Sequence, residues 1–314
     1  MNHFIIDCDP GHDDAVAILT AARYLNLVGV TTVFGNSTVE NTTRNALNLL
    51  DAAGLSRVPV AAGAAGPLQG VLHSGETVHG KSGLDGARLP LSQRPVHALD
   101  AADFIHQAAL EHDDLIIIAV APQTNLATAL ARYPELKHRI RGISIMGGST
   151  HIGNATPAAE FNILADPEAA ARVFDSGIPI TMVGLNVTTS FGVTANDISR
   201  LEQSDSFVAR EIGGALAYYL SRQSAIYNAR GFAPVHDVCA VLPFSHPALI
   251  DHEPMHVVVE CDGRYTRGMT VCDQRGVISG EGILLTEPAN ARVAIAADGA
   301  GIVQLLLDTL LQFP

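Results

Sequence analysis

An open, mostly parallel α/β sheet with helices on both faces is the fold class this sequence predicts. Three observations carry it. Apolar runs alternate with amphipathic stretches through the first two thirds of the 314 residues, the rhythm of repeated strand–helix units. Residues 115–121 (LIIIAVA) form an unbroken apolar run, as expected of a strand buried on both faces. Polar clusters follow directly after several such runs, where a sheet of this kind gathers its ligands.

The elements are expected in this order. Phe4, Ile5 and Ile6 end a buried strand, and residues 15–25 (AVAILTAARYL) form the first helix. A strand over 27–34 closes in Gly35-Asn36, and a helix runs from about 38 to 53. Residues 58–62 make a short strand. The stretch 63–91 has loop composition, with many glycines and two histidines, His73 and His79. Asp100 caps a helix to about Glu111, and Pro122 ends the strand of 115–121. A helix over 125–132 leads to a strand over 140–146 and the glycine-rich loop that begins at Gly147-Gly148. Asp166-Pro167 pairs an N-cap with proline at the first helical position, starting a helix to Asp175. A strand over 178–183 completes the alternation, in a Rossmann-like arrangement. Beyond it, 197–231 is expected to be helical, 255–261 and 269–272 to form a small antiparallel pair, and 301–311 to be the last helix. No Pro/Ser-rich or charge-run linker interrupts the chain, so a single domain over 1–314 is expected.

Composition narrows the function classes. With 19 basic and 32 acidic side chains the formal charge is −13, which argues against a nucleic-acid backbone or an anionic membrane as partner. No apolar run approaches the ~20 residues that span a bilayer, and Asp7 breaks any signal-peptide pattern early. The cysteines Cys8, Cys239, Cys261 and Cys272 lack zinc-site spacing and are too few for a disulfide scaffold. Cys261 and Cys272 could face each other across neighbouring strands, but free thiols in a cytoplasmic protein are the reading adopted.

The densest chemistry lies at the first strand end, in Asp7-Cys8-Asp9-Pro10-Gly11-His12-Asp13-Asp14. Four carboxylates so close raise one another's pKa and oppose folding unless a positive charge lies among them. No Lys or Arg precedes Arg23, so a bound cation is the economical answer. Asp9, Asp14, Asp237 and the backbone carbonyls of the 120–122 turn offer oxygen donors only, which favours calcium or magnesium over zinc. The plainer alternative is that Asp13 or Asp14 caps the following helix. Asp13, Asn36, Asn154, Glu160 and Asn162 are short polar groups able to fork onto vicinal hydroxyls. Taken alone, the polar residues of 153–162 are equally well explained as turn formers bonded to their own backbone. His236 and His79 suit proton delivery, although thirteen histidines make any single one weak testimony.

The stretch Asp7 to Ala15 resembles the N-terminal signature of the nucleoside hydrolases, inosine–uridine-preferring group. The likeness continues in order through Thr31-Thr32-Val33-Phe34-Gly35-Asn36, Val78-His79-Gly80-Lys81-Ser82-Gly83, Thr124-Asn125-Leu126-Ala127 and Ile145-Met146-Gly147-Gly148. It goes on in Gly153-Asn154, Glu160-Phe161-Asn162, Asp166-Pro167-Glu168-Ala169-Ala170 and Val235-His236-Asp237. The resemblance implies hydrolysis of the N-glycosidic bond of ribonucleosides, with a bound calcium ion (Ca2+). It implies Asp9, Asp14, Asp237 and the Val120 carbonyl as ligands, with Asp9 also the general base. By the same likeness Asp13, Asn36, Asn154, Glu160 and Asn162 bind ribose, His236 protonates the leaving base, and His79 contacts the base. Tyr227 and Arg230, in the loosely matching 222–235 segment, are further candidate base contacts. A homotetramer is implied, with a dimer as the alternative. Three positions depart from the pattern: His12 where an aliphatic residue is usual, Ala121 for a glycine, and Asn186 for an aspartate.

Two rival readings are weaker. A strand followed by Asp-x-Asp also opens haloacid-dehalogenase-type phosphatases, but Pro10-Gly11 does not fit their motif and no other motif has a counterpart. A non-catalytic nucleoside binder would have no need of the full set of catalytic groups.

Overall fold

The computed structural model describes residues 2–227, 231–275 and 287–314, without the side chain of Tyr227. Its strands are β1 (His3–Cys8), β2 (Asn26–Thr32), β3 (Val60–Ala62), β4 (Leu115–Ala119), β5 (Gly142–Met146), β6 (Ile180–Val183), β7 (Val193–Thr194), β8 (Phe232–Ala233), β9 (Ile250–Met255), β10 (Val257–Val259), β11 (Thr270–Cys272) and β12 (Ala291–Ala297). Eight of them form one sheet in the order β3-β2-β1-β4-β5-β6-β12-β9. All neighbouring pairs are parallel except β12 with β9. The chain starts at β1 in the middle, runs outward to β3, then crosses back to β4 on the other side of β1. The topological switch point therefore falls between β1 and β4, where open sheets of this type hold their ligands.

Alternation explains the unbroken apolar runs. Ile116 and Ile118 of β4 enter one core cluster, while Leu115, Ile117 and Ala119 enter the cluster on the opposite face. Phe4, Ile6 and Cys8 of β1 likewise separate from Ile5. A sheet covered on both sides leaves no position for a polar residue until the strand ends.

The caps read from sequence at Asp100 and Asp166 are present, and Thr38 supplies a further one. Thr38, Asp100 and Asp166 each accept a backbone N–H in the first turn of the helix that follows. Asp166 does more than cap: its Oδ2 also accepts from Leu68 N and Thr124 Oγ1, both at 2.7 Å. It is fully buried, so Asp166→Ala would orphan three donors. Chemical denaturation is expected to show a loss of roughly 3 kcal/mol; a loss below about 0.5 kcal/mol would show that water replaces these bonds.

Several boundaries differ from expectation. The first helix spans His12–Tyr24, so His12, Asp13 and Asp14 already lie in its first turn rather than in the loop. The helical region 197–231 splits into Ala195–Glu202 and Phe207–Tyr227, because Thr194 and Asp197 form a capping box and Ser206 accepts from Ala209 N to start the second helix. Gly231 lies outside both. β10 and β11 do pair antiparallel, but Val257 faces Cys272; Cys261 falls beyond the strand end, and all four cysteines are free. Strands β9 and β12 were not expected. Among the described residues no helix is long and apolar enough to cross a membrane.

Candidate active site

Four strand ends and one turn build the site. After β1, Asp9-Pro10-Gly11 leads into the first helix; after β2 the chain reaches Asn36; after β4 comes Val120; after β5 the loop returns through Glu160 and Asn162. Asp237 opens the short helix Asp237–Ala240, which Ser144 of β5 anchors by donating from Oγ to the Ala240 carbonyl at 2.7 Å. Asp13, Asn36, His79, Val120, Asn154, Glu160, Asn162, His236 and Asp237 all line one cavity. Asp9 and Asp14 lie buried beside it.

Asp14 is the hub of the carboxylates. It accepts from Asp9 N at 3.1 Å, Gly11 N at 3.0 Å and Asn36 Nδ2 at 2.9 Å, and it stands within hydrogen-bond reach of the Asp9 and Asp237 carboxyls. Oxygens of Asp13, Asp14 and Asp237 lie within 4.8 Å of one another. Asp9 Oδ2 accepts from Asn36 N at 2.7 Å, whereas Oδ1 is buried with no hydrogen-bond partner among the described residues. Gly35 permits this approach, since a Cβ there would sit 2.0 Å from Asp9 Oδ2. Burial and mutual repulsion push the Asp9 and Asp237 carboxyls well above the usual range. Burial, then the Asp14 charge, raises Asp13 to about 7. Asp7 is set apart: Thr31 Oγ1 and Asn125 Nδ2 donate to its Oδ1, and burial lifts it to about 6. An orphaned carboxylate oxygen beside three converging acids is a donor set that fits a hard divalent cation. Asp13 belongs to this cluster as well as to the expected ribose set.

These raised values carry a pH dependence. A carboxyl that is harder to ionise in the fold than in the unfolded chain contributes stability that is full below about pH 4. That stability is lost as pH rises through about 6 for Asp7 and about 7 for Asp13 and Glu160. For Asp7 alone it amounts to roughly 3 kcal/mol. The difference in melting temperature between protein loaded with a divalent cation and metal-free protein is therefore expected to widen from about pH 5 to about pH 8. A constant difference across that range would contradict it.

The polar residues around the cavity are already tied to backbone. Asn162 Nδ2 donates to the carbonyls of Val120 and Met146, both at 3.1 Å. Glu160 caps the helix Phe161–Ala165 by accepting from Asn162 N and Ile163 N, and it also accepts from Gly148 N. Asn154, which is exposed, accepts from Phe161 N at 2.9 Å. The turn-former reading of 153–162 thus holds, and the same turn places Asn154, Glu160 and Asn162 along the cavity. His236 donates from its backbone N–H to Asp13 Oδ2 at 3.1 Å, and its Nδ1 lies 2.8 Å from Thr188 Oγ1.

His79 is buried at the cavity wall and paired with His12 through their Nδ1 atoms at 3.0 Å. Burial lowers His12 to about 4 and holds His79 well below the usual imidazole range. The departure at His12 thus puts a second imidazole behind the first. Asn186 lies away from the carboxylates: it donates to the Ala294 carbonyl at 2.8 Å and accepts from Thr150 N, and the first of these bonds is one an aspartate could not make. Arg230 and the Tyr227 side chain lie outside the described residues. Tyr219 and Gln223, one helical turn apart on Phe207–Tyr227, line the cavity and were missed; on the sequence they are ordinary members of a helical repeat.

Comparison with known proteins agrees with this geometry. Residues 4–304 match the family model for inosine-uridine preferring nucleoside hydrolase. The chain is 40% identical over 309 residues to the pyrimidine-specific ribonucleoside hydrolase RihA of Shewanella sp. (strain MR-7), covering 98% of this chain and 95% of that one. A plant nucleoside hydrolase, PpNRh1, superposes with a TM-score of 0.90 at 32% identity, covering 99% of both chains. A purine-preferring ribonucleoside hydrolase from Gardnerella vaginalis also gives 0.90, at 28% identity over 98% of each chain. A match to the family model over nearly the whole chain, with Asp9, Asp14 and Asp237 gathered where the strand order reverses, assigns this chain to the inosine-uridine preferring nucleoside hydrolase family.

Proposed function

We propose that the enzyme is a calcium-dependent N-ribosyl hydrolase that releases free nucleobase and ribose from ribonucleosides, with uridine and cytidine as its better substrates. The observation that carries it is the bare, buried Oδ1 of Asp9 next to the Asp13–Asp14–Asp237 cluster at the floor of the cavity. The pyrimidine preference is supported by the greater sequence identity to the pyrimidine-specific relative than to the purine-preferring one.

Cleavage of a ribosyl C–N bond develops positive charge on the sugar ring and negative charge on the base, as in glycoside hydrolysis. The chain answers both demands. Asp9 takes the proton of the attacking water through its unpartnered oxygen. Asp13, Asn36, Asn154, Glu160 and Asn162 surround the ribose and hold it for in-line attack, and the nearby carboxylates favour the cationic ring. His236, which lines the same cavity, gives a proton to the departing base, and His79 contacts the base. Asp9, Asp14, Asp237 and the Val120 carbonyl would hold calcium, which when bound supplies the positive charge that keeps Asp9 ionised and a seat for oxygen ligands. The family resemblance supports a homotetramer, or a dimer, in the cytoplasm.

A panel of ribonucleosides assayed for reducing-sugar release tests the reading. Uridine and cytidine are expected to be cleaved, activity to vanish on dialysis against a chelator, and calcium to restore it. Full activity in metal-free protein, or release of phosphate from a sugar phosphate with no nucleoside cleavage, would sink it.

A further inference from the structure

Behind the base side of the cavity, His12 and His79 form a buried pair that the proposed chemistry leaves only partly used. Their Nδ1 atoms are 3.0 Å apart, a distance that requires one hydrogen between two nitrogens. His12 Nε2 lies 2.8 Å from the Asp85 carbonyl oxygen, which can only accept, so Nε2 of His12 carries a hydrogen. On a neutral imidazole the other nitrogen is then a lone pair, and the hydrogen between the rings belongs to His79. The His12 backbone N–H stands 3.4 Å from the same His79 nitrogen, too far to compete.

Surrounding contacts fix the pair in place. The His12 ring has no exposed surface and stacks on Tyr218 and Tyr219. Among the described residues neither ring has a carboxylate within ion-pair distance. Gly11 leaves the necessary room, because a Cβ there would meet His79 Nδ1 at 2.4 Å. His79 lines the cavity, and among the described residues none of its hydrogen bonds uses Nε2.

We propose that His12 is a positioning residue for base recognition: it holds His79 in the Nδ1–H tautomer, so that a bare Nε2 accepts a hydrogen bond from an N–H on the edge of the nucleobase. The other tautomer would present a donor there and favour a base carbonyl instead. The inference rests on the nucleoside-hydrolase reading of the cavity. A base with an N–H at that edge, such as the imide of uracil, is preferred over one methylated at the same nitrogen, which would leave the acceptor unpaired.

Nitrogen–proton correlation spectra of the calcium-loaded protein read the tautomer without reference to activity. The wild type is expected to show His79 protonated at Nδ1 and bare at Nε2. A His79 protonated at Nε2 overturns the proposal. His12→Phe keeps the ring stack and removes the acceptor, so the fixed tautomer is expected to be lost. His12→Asn, whose Oδ1 stands near the place of Nδ1, is expected to restore it. In parallel, the ratio of kcat/KM for uridine to that for 3-methyluridine is expected to shrink roughly two- to tenfold in His12→Phe and to recover in His12→Asn. The same ratio in all three proteins overturns the role in recognition. Should His12→Phe fail to fold, the wild-type spectrum decides the tautomer, and His12→Leu, which also lacks the acceptor, takes its place in the ratio. If no ribonucleoside is cleaved, the reading of the cavity falls and base recognition with it, while the spectrum still settles the tautomer.

Discussion

Asp9→Asn is expected to lower kcat by about 10²–10⁴-fold, the usual worth of a positioned general base, while calcium still binds. The choice of asparagine matters. Asp9 Oδ2 accepts from Asn36 N at 2.7 Å, and an amide oxygen can keep that bond, so the turn need not rearrange. What the variant lacks is basicity at the orphaned Oδ1. Asp9→Ala would remove the base, a metal donor and the Asn36 contact together, so its larger loss would not separate these roles. The measurement is single-turnover cleavage of uridine at saturating calcium, with calorimetric titration of the metal on the same sample. Weak metal binding that excess calcium rescues to normal turnover would make Asp9 a ligand only. Near-normal turnover with normal metal binding would remove it from both roles.

How much of this was legible in the sequence depends on how local each signal is. Alternation in β1, β4 and β5 and the caps at Asp100 and Asp166 are written within a few residues, and they stand where expected. β9 is not so written: IDHEPM carries proline and charge, because it is an edge strand whose four middle residues are exposed or half-buried. β12 is alanine-rich and takes its strand character from pairing with β6 and β9, not from propensity. In the site, the aspartates of 7–14 were visible because they are contiguous, whereas Asp237 joins them from far along the chain. Asn36 was assigned to sugar, and the structure adds that its amide braces Asp9 and Asp14. Tyr219 and the His12–His79 pair depend on how a distant helix packs over the first one, which no local pattern encodes.

His236→Ala is expected to separate two kinds of leaving group. Uracil departs as an anion unless it is protonated, so loss of the acid should lower kcat on uridine by about 10²–10⁴-fold. A nitrophenyl riboside releases a stable phenolate and should lose less than about tenfold. The geometry gives the comparison its force. The contact of His236 with Asp13 runs through the backbone N–H at 3.1 Å, which alanine retains, so the carboxylate cluster keeps its brace. The side chain itself touches Thr188 Oγ1 through Nδ1. A substitution that merely loosened the pocket would slow both substrates alike, because both place the same ribose over Asp9. Unequal losses therefore point to proton delivery, and equal losses on uridine and the nitrophenyl riboside would reject His236 as the acid.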